Sequence, residues 1–137
     1  MKTIRVIAGL VVGILSAVGI ARVAFATLQS VWPEYAAAAP DKAYTLPMLW
    51  ARLGIAALLT LISAAVATLV AADRRVAWVL GSLFVVVSLP SHLHYVWADY
   101  PAWYHAVYLL SLVPVAWLGG KLVPSHFVRL SQLEPAG

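Results

Sequence analysis

Residues 67–82 read ATLVAADRRVAWVLGS: one apolar run ends, three charged residues follow, and a second apolar run begins at once. A turn this short, between arms this apolar, reads as the bend of a helical hairpin whose two arms cross a membrane. Working outward, the arm before the turn reaches back to residue 48 and the arm after it runs to about residue 97. Two further runs of the same kind occupy residues 4–28 and 103–122. Each holds about 20 residues or more, enough at 1.5 Å per residue to cross a hydrocarbon core of about 30 Å.

Composition agrees. The 137-residue chain is 64% hydrophobic and only 10% charged, with a mean hydropathy of +0.92. Soluble domains carry about 25% charged residues, so this chain cannot wet the surface of a globule. The net charge of +4 does not point to nucleic acid, because the cations sit at the ends of apolar runs and form no basic stripe. The chain has no cysteine, which excludes disulfides, thiolate metal sites, iron–sulfur clusters and dithiol relays.

The flanking charges orient the spans. Lys2, Arg5, Arg74, Arg75, Lys121 and Arg129 fall on one side, while the other side carries Lys42 beside Glu34, Asp41 and Asp99. The positive-inside rule places the basic side in the cytoplasm. The expected fold is therefore all-α: a single integral-membrane four-helix bundle of two hairpins, N-in and C-in, in a cell inner (plasma) membrane. Residues 123–137 form a cytoplasmic tail, with Phe127, Val128, Leu130 and Leu133 as a modest apolar face. In the outer loop, Pro33 and Pro40 bracket a short helix over 34–39. A rival reading takes the first run as a secretory signal cleaved after Ala26, at the AFA of residues 24–26.

Small residues predict how the spans pack. Gly9, Gly13, Ala17 and Ala21 recur every four residues in the first span, and Ala56, Thr60, Ala64, Thr68 and Ala72 do so in the second. Such ridges let backbones approach closely in lipid, so these two spans are expected to touch along them. Pro90 and Pro114 predict kinks in the third and fourth spans, freeing the carbonyls of Val86 and Leu110. Ser88 and Ser111 are close enough in sequence to help satisfy them.

Ionisable groups at membrane depth mark function by default. Here they are Arg22, Arg52, His92, His94 and His105, and the N-in topology carries all five to the outer third of the membrane. Asp99 and Tyr104 complete the candidate set, among nine of the chain's fifteen aromatic residues at that level. The plain reading is an interface belt with snorkelling arginines, in which Arg22 and Arg52 pair with Glu34, Asp41 or Asp99. The sharper reading is a ligand site. His92 and His94 lie two residues apart and diverge by about 200° on a regular helix, so they do not chelate one ion together. One of them can face His105 across the short hairpin, in the manner of a b-type haem or metal site, or of a proton or quinone relay. Arg22 and Arg52 suit an anionic lipid or a carboxylate.

The remaining classes are weaker. No Asp or Glu lies within a span, which argues against a small cation exporter, although a small transporter stays among the alternatives. Ser91 beside His92 diverges from it by about 100°, and no nucleophile motif occurs, so the reading leans away from an enzyme. With almost no mass outside the bilayer, the leading expectation is an interaction or accessory subunit of a membrane complex. Its partners would be the lipid bilayer and another membrane protein or a second copy, without nucleic acid. The alternative is the outer-leaflet ligand site, its cofactor undetermined.

Overall fold

A computed structural model of the chain describes residues 2–128. Arg129 and the apolar tail positions Leu130 and Leu133 lie outside the described residues. Among the described residues all regular structure is helical. Helix α1 spans Lys2–Val31, the short α2 spans Pro33–Ala38, α3 spans Leu46–Ala71, α4 spans Arg75–Pro90 and α5 spans Ala102–Leu122. A wider, π-type turn over Ser91–Tyr95 continues α4, and a 3₁₀ turn over Trp97–Asp99 leads into the last helix. Four helical stretches are thus long and apolar enough to cross a membrane: Thr3–Val31, Leu46–Ala71, Arg75–Tyr95 and Ala102–Leu122.

Local chemistry sets the boundaries. α1 runs three residues past the expected end, to Val31, and stops because Pro33 drives the residue before it out of the helical region. Trp32 accordingly has φ −128° and ψ 89°, and Pro33 opens α2 as its first residue. α3 begins after extended Thr45, with Pro47 in its first turn. It ends at Ala72, which takes a left-handed conformation (φ 53°, ψ 32°) to reverse the chain. The Asp73 carboxylate then accepts the Arg75 N–H at 2.8 Å in the turn that leads into α4.

The bundle is small inside and large outside. Ala64, Ala67, Ala77, Leu80 and Ala116 are fully buried, whereas Ile4, Leu15, Val23, Val86 and Leu110 are exposed. Water would drive the opposite partition, and lipid does not, so this arrangement suits a multi-pass membrane protein. α3 is central and packs on α1, α4 and α5, while α4 packs on α5.

α1 and α3 do touch along small residues, but the register on α3 differs from the expected ridge. A Cβ on Gly9 would lie 2.7 Å from the Ala67 carbonyl oxygen, and one on Gly13 would lie 2.9 Å from the Ala67 Cβ and 3.2 Å from the Ser63 carbonyl. Ala71 also meets Gly9. The line facing α1 is therefore Ser63, Ala67 and Ala71. Ala64 and Thr68 each follow a member of that line by one residue and so point about 100° away from it. They meet α5 instead: a Cβ on Gly119 would lie 3.1 Å from the Ala64 Cβ, and one on Gly120 3.2 Å from Thr68 Oγ1.

Candidate functional site

Toward the end of the bundle that carries α2 and the α4–α5 connection, the small residues stop closing the gap. Ala17 and Ala21 on α1, with Ala56 and Thr60 on α3, line a cavity of about 400 Å³ instead. Its apolar wall is Val18, Phe25, Leu59, Phe84, Val96 and Leu112. Its polar groups are few: Arg52, Ser88, Ser91, His92, Tyr100, Tyr104 and Tyr108, beside Thr60. A volume of 300–1,000 Å³ and an apolar wall with a few convergent polar groups are the usual marks of a small-molecule site.

Arg52 stands at one side of this cavity, and the loop folds back to hold it. Its Nη1 donates to the Tyr35 hydroxyl at 2.5 Å and to the Tyr44 hydroxyl at 3.4 Å. Tyr35 is 1% exposed although it belongs to the short loop helix. The guanidinium carbon lies 5.1 Å from the Phe25 ring centroid, 4.7 Å from Tyr44 and 5.4 Å from Tyr100. Aromatic faces stabilise a desolvated cation. Burial pushes the Tyr44 phenol up to about 12. Among the described residues no carboxylate pairs with Arg52, and its Nε is buried without a hydrogen-bond partner.

The expected pairing of the outer carboxylates with Arg22 and Arg52 is replaced by another. Asp99 forms a salt bridge with Lys42, joining the loop to the α4–α5 turn. That hydrogen bond, reinforced by the Asp99 charge, holds the Lys42 ammonium above its ordinary value of 10.5. Arg22 is exposed on α1 and does not line the cavity.

His92 and His94 lie just beyond Pro90. Without an N–H, Pro90 cannot bond the Val86 carbonyl, and the helix beyond it widens. Val96 N–H donates to the carbonyl of Ser91, five residues back, at 3.1 Å. His92 lines the cavity, while His94 is exposed. His92 meets His105 of α5, Nδ1 to Nδ1 at 2.8 Å, with the rings nearly perpendicular. His105 is 1% exposed. It stacks on Trp97 at 4.8 Å, and His92 stacks on Tyr108 at 4.4 Å.

The partners fix the tautomers. A carbonyl only accepts, so His105 Nε2–H donates to the Trp97 carbonyl at 3.3 Å. Neutral His105 then carries its lone pair on Nδ1, and His92 Nδ1–H is the donor between the rings. That leaves the lone pair of His92 on Nε2, and His92 lines the cavity. The inter-ring contact has the length of a hydrogen bond. Among the described residues there is no group of three or more His, Cys, Asp or Glu side chains able to hold a metal ion.

Of the seven candidate residues, the structure thus brings Arg52, His92 and Tyr104 to the cavity, places His105 behind His92, and uses Asp99 as a loop anchor. Arg22 and His94 stand apart. Sequence reading missed Tyr35 and Tyr44 as arginine partners and Tyr108 as the platform of His92. Tyr108 follows His105 by one helical step, a local signal; Tyr35 reaches Arg52 across a loop, with no local signal. Ser91, set aside as a chance neighbour of His92, lines the cavity beside it. Ser111, expected to help satisfy the Leu110 carbonyl, donates to the Tyr108 carbonyl at 2.8 Å.

Comparison of the chain with protein families, curated proteins and solved structures finds no match.

Proposed function

We propose that the protein is a four-span inner-membrane protein, N-in and C-in, that binds an amphipathic acid in the outer half of the bilayer. The observation that carries this reading is the buried, partnerless Nε of Arg52, beside an apolar cavity large enough for a small molecule. The guanidinium spends Nη1 on Tyr35 and Tyr44 and has the Tyr104 hydroxyl beside it. Its Nε donor is unspent, and a small shift of the side chain toward the cavity would present it to a carboxylate or phosphate oxygen, the geometry in which arginine binds acids best. His92 Nε2 adds an acceptor for a hydroxyl or acid proton on the same ligand. The apolar tail would lie against Phe25, Leu59, Phe84 and Leu112. An accessory role in a larger complex is compatible with this reading, since a bound amphiphile has to be delivered or used elsewhere.

A long-chain fatty acid is the first probe, titrated into protein purified in neutral detergent. Arg52→Gln should weaken binding about 10- to 100-fold, the worth of a charge-assisted hydrogen bond of about 1.5–3 kcal/mol. Arg52→Lys keeps the charge without the fork and should recover part of the affinity. Arg22→Gln, on the exposed face of α1, should leave binding unchanged. Equal weakening by Arg22→Gln and Arg52→Gln would refute the site. Because the chain has no native cysteine, Ala37→Cys and Asp73→Cys can be labelled from either side of the membrane to test the orientation.

A further inference from the structure

At the opposite end of the bundle, where α4 begins and α5 ends, lies a groove of about 140 Å³. It is lined by Arg74, Arg75, Trp78, Trp117, Gly120 and Lys121. Its floor exists because Gly120 has no side chain: a Cβ there would lie 2.6 Å from the Cβ of Ala77. The two helices therefore approach closely at the floor, and the indole rings of Trp78 and Trp117 stand up as walls, 6.2 Å apart. Three cations rim this groove. Arg74 is fixed, donating to the Val123 carbonyl at 2.6 Å. Lys121 holds its ammonium 4.0 Å over the Trp117 ring. Arg75 is exposed. The nearest acid in sequence, Asp73, spends Oδ1 on the Arg75 backbone N–H and does not line the groove. Among the described residues no carboxylate pairs with any of the three cations.

We infer that this groove binds the phosphate of an anionic phospholipid. Charge complementarity supplies the headgroup: two guanidiniums and an ammonium line one groove without a paired carboxylate among the described residues, and phosphate is the group that such cations hold most readily at a membrane surface. The walls supply the choice of a lipid over a soluble anion. Trp78 is 50% exposed, and Val79 and Leu118 continue the exposed apolar surface away from the groove. Acyl chains can lie along that surface, whereas a free phosphate would make no use of it. Indoles at the headgroup level also match the usual depth preference of tryptophan. This inference is independent of the cavity at the other end of the bundle.

The test uses the full chain in nanodiscs of phosphatidylcholine with a minor fraction of phosphatidylglycerol, released into native mass spectrometry. One phosphatidylglycerol retained per chain is the expected result. Arg75→Gln and Lys121→Gln, both on exposed side chains, should each lower retention about tenfold, equivalent to about 1.4 kcal/mol. Arg5→Gln removes one like charge at the same end and should retain the lipid as the wild type does. Trp78→Leu should lower the preference for the intact lipid over glycerol phosphate. Equal losses for Arg5→Gln and Lys121→Gln would overturn the site in favour of diffuse surface charge. Displacement of the lipid by inorganic phosphate as readily as by phosphatidylglycerol would overturn the lipid assignment.

Discussion

The His92–His105 contact lends itself to a double-mutant cycle with phenylalanine. Phenylalanine keeps an aromatic ring at each position, so the stacks on Trp97 and Tyr108 survive and the hydrogen bond is what changes. His105→Phe removes the acceptor of His92 Nδ1–H and the donor to the Trp97 carbonyl, both in a place where residue 105 is 1% exposed. Leaving such groups without partners costs about 1–3 kcal/mol, and a loss near 2 kcal/mol is expected. His92→Phe orphans only the His105 lone pair and should cost about 1 kcal/mol, the low end of the same range. The double variant replaces both partners by apolar rings, which is far less costly than orphaning either. Its loss should therefore fall short of the sum of the single losses by about 1–2 kcal/mol, as for residues in direct contact. Reversible unfolding in mixed micelles of mild detergent and dodecyl sulfate measures all four stabilities. Agreement with simple addition to within about 0.5 kcal/mol would refute the hydrogen bond and the tautomer assignment built on it.

Three further outcomes follow from the packing and the loop. Gly119→Ala would drive a Cβ into the Leu61 carbonyl and should cost about 1–3 kcal/mol as α3 and α5 separate. Gly54→Ala, where nothing lies within 4 Å, should gain up to about 1 kcal/mol in the same assay by helix propensity, and equal effects at both sites would contradict the α3–α5 contact. Thr68 buries a hydroxyl without a partner, so Thr68→Val should be at least as stable as the wild type, and a clear loss of stability would mean that the hydroxyl is satisfied. Lys42 and Tyr44 both have raised values in the folded state. Their contributions are complete below the unfolded values and are lost as pH rises through the folded ones. Wild-type stability should accordingly fall more steeply above pH 10 than that of an Asp99→Asn, Tyr44→Phe double variant; parallel pH profiles would count against the folded loop.

How much of this was legible in the sequence depends on whether a feature is periodic or tertiary. Four long apolar helices, their pairing into two hairpins and the loop helix follow from apolar runs, prolines and a charged turn, all local signals, and the structure has these helices to within a few residues of the expected bounds. The small-residue ridge on α3 was half legible. α3 carries two small-residue runs of interval four, one residue and about 100° apart; spacing alone does not say which faces which neighbour, and Ser63 and Ala67 go to α1 while Ala64 and Thr68 go to α5. The histidines show the same limit more sharply. Spacing established that His92 and His94 diverge, and that one of them could meet His105. Which one does so depends on how the end of α4 is turned against α5, a tertiary feature: His92 faces His105 and His94 is exposed. Arg22 and Arg52 read alike in sequence, as arginines near the same end of adjacent spans. They differ because Tyr35 and Tyr44, from a loop of no helical period, close over Arg52 and leave Arg22 outside. A buried cation that a loop must fold back to enclose, and whose Nε is still without a partner, is costly to keep in an apolar surround. That cost is the strongest physical reason to expect an acid in the cavity.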